Sequence, residues 1–410
     1  MVSGLVGDHG AIFRERDLQV LILAGAVTPL AVSLISPVFE VLIGTFDATP
    51  STIGLLVSAY TAPSLVLIPL GGALSDRYGR KRVLIAGLLC FGSAGVAISL
   101  TTTFEVVLAL RALQGVGSAG TTPVVVTAIG DLYSDTEAAT AQGLRMTAVG
   151  TAQAIFPLAA SLLVAVAWQL PFLMYAMALP VAALVYCCFD ESLGAETGRG
   201  GDHEQSYRRR LSAQLARPRV AALLVAYAGP TFLYFGFQAY VAVMLVRVLD
   251  GSAGLAGLVV AVFSVVYAVA ATQAGRATAR FATRYRPLVG ATLVMAGGLS
   301  AFALAPTVLI AVAGAVGFGA GYGLSLSLCR SLVPELAPPD LRGGVVSSGE
   351  TLGRFGATIS PAILGTLIGV LSPTTGFAPA VRWSIGAVAA AIGVLMIAAV
   401  LLAASLDEAG

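Results

Sequence analysis

Histidine and charge are what this chain has least of. Its only two histidines, His9 and His203, sit in the N-terminal tail and in a polar stretch, which leaves none for a hydrolytic triad or a two-histidine metal site. Charged residues make up 11% of the 410, against about 25% in an ordinary soluble domain. The four cysteines, Cys90, Cys187, Cys188 and Cys329, all fall inside apolar runs without ligand spacing, so neither a disulfide framework nor a zinc site is indicated. No P-loop motif occurs, which argues against ATP drive. There is also no basic n-region followed by a short apolar h-region and a small-residue cleavage site. Arg14 and Arg16 precede a stretch long enough to span a bilayer, so the first helix is expected to be retained. Such a chain has poor raw material for an enzyme, and no metal, cofactor or nucleic-acid partner is expected.

Apolar length is what it has in quantity, with 57% hydrophobic residues. Crossing a bilayer as a helix takes about 20 apolar residues. Marking such runs between Gly, Pro and charged punctuation gives twelve, at approximately 18–39, 52–73, 83–101, 105–130, 139–166, 170–189, 219–246, 254–275, 287–305, 308–332, 344–369 and 380–404. A lipid-facing backbone must satisfy its own hydrogen bonds, so each run reads as a helix. The expected fold is an all-α membrane protein with twelve transmembrane helices.

The cations orient it. Seventeen of the 23 Lys and Arg residues lie in the N-terminal tail and at 77–82, 199–219, 276–286 and 342, all on one side, whereas only Arg247 and Arg382 lie on the other. The positive-inside rule therefore puts both termini in the cytoplasm of a multi-pass cell-membrane protein. The long polar stretch 190–219 divides the chain into a six-helix bundle at 1–193, a cytoplasmic linker at 194–218 and a second six-helix bundle at 219–410. The halves echo each other: shifted by 203 positions, Gly72, Arg77, Gly79 and Lys81 correspond to Gly275, Arg280, Ala282 and Arg284, with Ala279 in the place of Asp76. Two pseudo-symmetric parallel repeats of this kind are an arrangement used for alternating access.

Between the second and third helices, "GGALSDRYGRKR" (71–82) interrupts the apolar chain with a burst of charge. Gly72, Leu74, Asp76, Arg77, Gly79, Arg80 and Lys81 match without a gap a signature that resembles that of the major facilitator superfamily. In the fourth helix "LRALQGVGSAG" is similar to the family's second motif, through Arg111, Gln114, Gly115 and Gly117. Fainter echoes are Pro37, Glu191 and "PPDLRGG" (338–344). The pattern looks most like the twelve-helix drug-proton antiporter branch, with one departure: the fifth helix reads "FPLAAS" (156–161) where that branch carries Gly-Pro-x-x-Gly-Gly.

The loop's glycines allow a tight reversal and its cations hold the turn in the cytoplasm. Asp76 adds nothing to orientation and so needs a positive partner. The resemblance implies that it faces the start of the eleventh helix near residues 343–345 and that Arg80 pairs with Asp131, together forming a conformational latch. Simple topological anchoring is the alternative. A charge inside the membrane costs roughly 2.5–3.5 kcal/mol at a helix centre and is a functional candidate by default. By resemblance Arg111 faces the cavity and tunes a nearby carboxyl; otherwise it ties backbone carbonyls. Glu350 and Arg354 are four apart on one face of the eleventh helix, extended by Ser347 and Thr358, and can pair with each other, for proton coupling or for packing alone. Glu40, at the outer end of the first helix, is a second candidate proton carrier. In the seventh helix Tyr227, Thr231, Tyr234 and Gln238 share one face, either a substrate-contacting wall, to which Gln114 would add, or packing. Glycines at 314, 317, 319, 321 and 323 mark the tenth helix as a gate.

The leading expectation is thus a monomeric secondary transporter that exports a hydrophobic or amphipathic small molecule in exchange for protons. The rival is a proton-coupled symporter taking up an organic metabolite, for which a fixed-cation site such as Arg111 plus Arg354 would suit an anion.

Overall fold

The computed structural model describes residues 15–46, 48–49, 52–133, 135–190, 209–281, 283–338 and 341–408, which form helices and turns with no strand among them. Glu191, His9, His203, Ala282, Pro339, Asp340, residues 194–208 of the expected linker and the side chain of Glu40 lie outside the described residues. The chain divides into two compact units, residues 1–48 with 59–197 and residues 49–58 with 198–410.

The first unit contains α1 (Arg16–Val27), α2 (Leu30–Ser33), α3 (Ile35–Thr45), most of α4 (Leu55–Tyr78), α5 (Arg80–Ala97), α6 (Phe104–Ala119), α7 (Thr122–Leu132), α8 (Asp135–Val164), α9 (Leu170–Leu173) and α10 (Ala178–Cys188). The second contains α11 (209–215), α12 (Pro218–Val243), α13 (Ala253–Thr272), α14 (Ala274–Ala279), α15 (Tyr285–Leu304), α16 (Val308–Leu332), α17 (Arg342–Thr375) and α18 (Phe377–Glu408). Ten helical segments of the described chain are long and apolar enough to cross a membrane, and α4, bent by 53° between Ile68 and Leu70, makes eleven if taken as one span. The shortfall from twelve lies in the fourth run. There the helix breaks at Gly120 and Thr121, leaving α6 and α7 with 16 and 11 residues, each too short to span alone. Pro123, at the start of α7, has no amide N–H with which to continue the ladder.

The expected linker is not all linker. Its last residues form α11, whose buried Gln214 donates from Nε2 to the Leu336 carbonyl at 2.6 Å, so this part is packed into the second unit.

Without a hydrophobic drive between helices in lipid, close packing has to hold each bundle, and small residues make it possible. A Cβ placed on Gly71 of α4 would stand 2.2 Å from the Ala119 carbonyl oxygen, and one on Gly115 of α6 would stand 2.2 Å from that of Tyr60. In the second unit Gly321 and Gly323 of α16 approach the Met295 nitrogen and the Tyr267 carbonyl as closely, at 2.2 and 2.3 Å from a built Cβ. The glycines of the expected gating helix therefore serve contact with α15 and α13, and α16 runs unbroken over 25 residues.

The same measure corrects one glycine of the signature loop. The reversal between α4 and α5 is made at Gly79, where φ is 95° and a side chain would be strained, whereas Gly72 lies inside α4 with open space around a would-be Cβ. Gly71→Ala should therefore cost about 1–3 kcal/mol of stability through overpacking. Gly72→Ala should be neutral or slightly stabilising. Thermal unfolding of the two purified variants checks this order.

Candidate functional site

Three polar clusters stand out, two in the first unit and one in the second. At the α4–α5 turn, Arg80 gathers the charges of the signature loop. Its Nη1 lies 2.5 Å from Asp76 Oδ1 and donates to Ser75 Oγ at 2.5 Å, while its Nε donates to Asp131 Oδ2 at 3.0 Å. Arg77 turns aside and stacks over Tyr78 at 5.4 Å. Asp76 and Asp131 are 51% and 39% exposed, and ion pairs this open contribute only about 0–1 kcal/mol each. Such a network is poor as a structural staple and easy to break and re-form. Nearby Tyr133, at the end of α7, donates its hydroxyl to Glu15 Oε2 at 2.5 Å. Its ionisation is pushed well above the usual tyrosine range, first by burial and then by that bond.

The second cluster is built around Arg111 of α6, which is fully buried. It donates to Gln114 Oε1 at 2.9 Å, the Tyr175 hydroxyl at 3.2 Å and the Ala31 carbonyl at 2.6 Å, and its guanidinium lies 4.9 Å from the centre of the Tyr60 ring. Tyr175 in turn donates to the Leu30 carbonyl at 3.1 Å. The first apolar run is broken at Thr28 and Pro29 and again at Leu34. Arg111 and Tyr175 donate to the Ala31 and Leu30 carbonyls of the short α2 between the two breaks, and the Leu30 carbonyl also accepts from the Leu34 amide. This corrects two expectations: Arg111 faces no cavity, and Gln114, also fully buried, is spent on Arg111 and on the Phe91 carbonyl rather than presented to a substrate.

The third cluster lies where α12, α16 and α17 meet. Glu350 Oε1 accepts from Arg330 Nη2 at 3.1 Å and from the Tyr227 hydroxyl, and Arg330 Nε reaches that hydroxyl at 3.4 Å. The expected Glu350–Arg354 pair is not formed. The partner comes from α16, because a neighbouring helix can bring a cation and a phenol to the carboxylate where an i,i+4 residue supplies only one contact. Arg330 falls within the apolar run 308–332, but only the packing of α16 beside α17 shows which carboxylate it meets. Among the described residues Arg354 has no hydrogen-bond or ion-pair partner for its guanidinium.

The polar stripe of α12 is divided. Tyr227 reaches Glu350, and Thr231 lies half-buried against Gly353. Tyr234 and Gln238 are buried and bonded to each other at 2.9 Å, with Tyr234 stacked on Phe263 and Tyr322 at 5.5 and 5.2 Å between ring centres. These two pack inside the second unit instead of opening on water. The stripe leaves Gln238 Oε1 without a partner. Among the described residues no group of three His, Cys, Asp or Glu could hold a metal ion.

A family model described as the Major Facilitator Superfamily matches residues 21–253, more than half of the chain. The chain is 33% identical to the Bacillibactin exporter of Bacillus subtilis (strain 168) over 153 residues, covering 36% of this chain and 38% of that one. It is 30% identical to Multidrug resistance protein 2 of the same organism over 189 residues, covering 45% and 47%. These matches span less than half the length of either relative. A solved structure of a bacterial homolog to human lysosomal transporter Spinster, in an inward-facing and occupied conformation, is similar in fold with a TM-score of 0.81, at 18% identity over 95% of this chain and 96% of that one.

The burial of the clusters separates their roles by a measurable amount. Arg111→Met should destabilise the protein by about 3–5 kcal/mol, since it leaves several buried acceptors unsatisfied. Arg330→Met, which breaks a pair that is nearly half exposed, should stay within about 1 kcal/mol of wild type. Equilibrium unfolding in mixed detergent micelles measures both.

Proposed function

The chain belongs to the major facilitator superfamily, whose members are transporters and not enzymes, and on that premise we propose that it exports an amphipathic organic compound in exchange for protons. The observation that carries this reading is the Glu350–Arg330–Tyr227 cluster, a carboxylate kept inside membrane-spanning helices at a cost that packing alone does not call for. A carboxyl beside a cation gives up its proton, and one parted from its cation in an apolar setting takes one up. Movement of α16 against α17 would alternate those two conditions at Glu350. Arg354 then has no part in holding the proton carrier ionised, and Glu40 is the second candidate.

The direction of transport is supported by the relatives, which are named as an exporter and a multidrug resistance protein. The uptake reading rests on the missing glycine pair at residues 156–161. The one-sided cations support an orientation with the α4–α5 turn and both termini in the cytoplasm. There Asp76, Arg80 and Asp131 act as the latch, without Arg77, which stacks on Tyr78: weak, exposed pairs on a turn fixed by Gly79, opened and closed once per cycle.

The test is transport of amphipathic dyes in proteoliposomes under an imposed pH gradient. The wild-type protein should concentrate at least some dyes against their gradient. Glu350→Gln should abolish that accumulation while leaving dye binding within about threefold of wild type. Proton-driven accumulation that survives in Glu350→Gln and disappears in Glu40→Gln would move the coupling site to the middle of α3.

A further inference from the structure

Arg354 is the charge that the coupling site leaves over. It lies twelve residues into α17, about 18 Å along the helix from Arg342, so it is too deep to act as a topological anchor. Arg219 and Arg382 stand at the ends of their runs, and the other arginines deep within the apolar runs are held by the protein: Arg111 by Gln114, Tyr175 and Ala31, Arg145 by Gln142, and Arg330 by Glu350 and Tyr227. Arg354 is half-buried, and among the described residues its guanidinium meets neither carboxylate nor hydrogen-bond acceptor. The one acidic side chain a turn away, Glu350, is already matched by Arg330, which leaves the region with one positive charge in excess.

The packing of α17 shows where that charge looks. Gly349, Gly353 and Gly356 face Tyr227, Thr231 and Phe232 of α12. Leu352, Phe355, Gly356 and Ile359 line an open apolar pocket of about 170 Å³ with residues of α12 and α18. Residue 354 falls on the opposite side of the helix from that cavity, in register with Glu350 and Thr358. It shares a face with the coupling carboxylate and points away from the purely apolar side. Gly353 beside it lies against Thr231 and keeps the α17 and α12 backbones close.

An unpaired, always-charged planar fork inside a membrane segment calls for an anion, and the described residues do not provide one. We propose that Arg354 is the docking point for an anionic group, a carboxylate, sulfonate or phenolate, of the transported compound, so that the substrates of this transporter are organic anions. Binding would bring the region to electrical balance, with Glu350 and the substrate anion facing Arg330 and Arg354. This rests on the transport reading above and adds the charge class of the cargo.

The test uses two fluorescent probes of similar aromatic bulk, the anionic 8-anilinonaphthalene-1-sulfonate and the neutral N-phenyl-1-naphthylamine. Their saturable binding is measured on the purified protein in lipid nanodiscs, above that of empty nanodiscs. Arg354→Gln should weaken sulfonate binding about tenfold or more while moving the neutral probe by less than about twofold. Arg354→Lys, which keeps the charge and loses the fork, should fall between the two. Unchanged sulfonate binding in Arg354→Gln, or a parallel loss of both probes, overturns the assignment and leaves the export reading standing. Absence of saturable binding of either probe by the wild-type protein overturns both.

Discussion

A charge inside a bilayer has to be matched, and most of what is distinctive in this chain follows from how it meets that demand. In the first unit the answer is permanent. Arg111 is sealed among a glutamine, a tyrosine, a ring face and the Ala31 carbonyl, which ties α6 to the short α2 of the broken first run. In the second unit the answer is conditional. Glu350 is matched by side chains from two other helices, so its balance depends on where those helices sit. A transporter needs both kinds, one to keep a bundle rigid and one to register a change of state.

Packing sets the limits of that change. The close passages at Gly71, Gly115, Gly321 and Gly323 place backbone against backbone, with no side chain to yield between them. Motion is thereby directed away from those crossings, into turns and half-exposed contacts. The Arg80 network at the α4–α5 turn has that character, as does the Arg330–Glu350 pair.

What the sequence made legible was local or compositional. Apolar run lengths identified a helical membrane protein, and the contiguous loop 71–82 carried the family resemblance, because spacing within one turn survives without knowledge of the fold. Helix length alone accounts for ten or eleven of the twelve expected spans, and the remaining run, 105–130, is a helix interrupted at Gly120 and Thr121. Helical spacing correctly put Glu350 and Arg354 on one face, but it says only which residues are neighbours along a helix. The true partner, Arg330, is 20 residues away on another helix. The α12 stripe failed in the same way, since periodicity identified a shared face but not that Tyr234 meets Phe263 and Tyr322. Gln114 was misassigned because a buried glutamine serving an arginine looks, in sequence, like one serving a ligand.

The central claim is that Glu350 changes its protonation as the transporter works. Infrared difference spectroscopy reads this directly, since the carbonyl stretch of a protonated carboxyl is separate from the bands of the carboxylate. Spectra of the protein in membranes, taken across pH with and without a bound amphipathic dye, should show a protonated-carboxyl band that shifts in pH when the dye binds and is missing from Glu350→Gln. The same band persisting unchanged in Glu350→Gln, or no dye-dependent carboxyl signal in the wild type, would contradict the account.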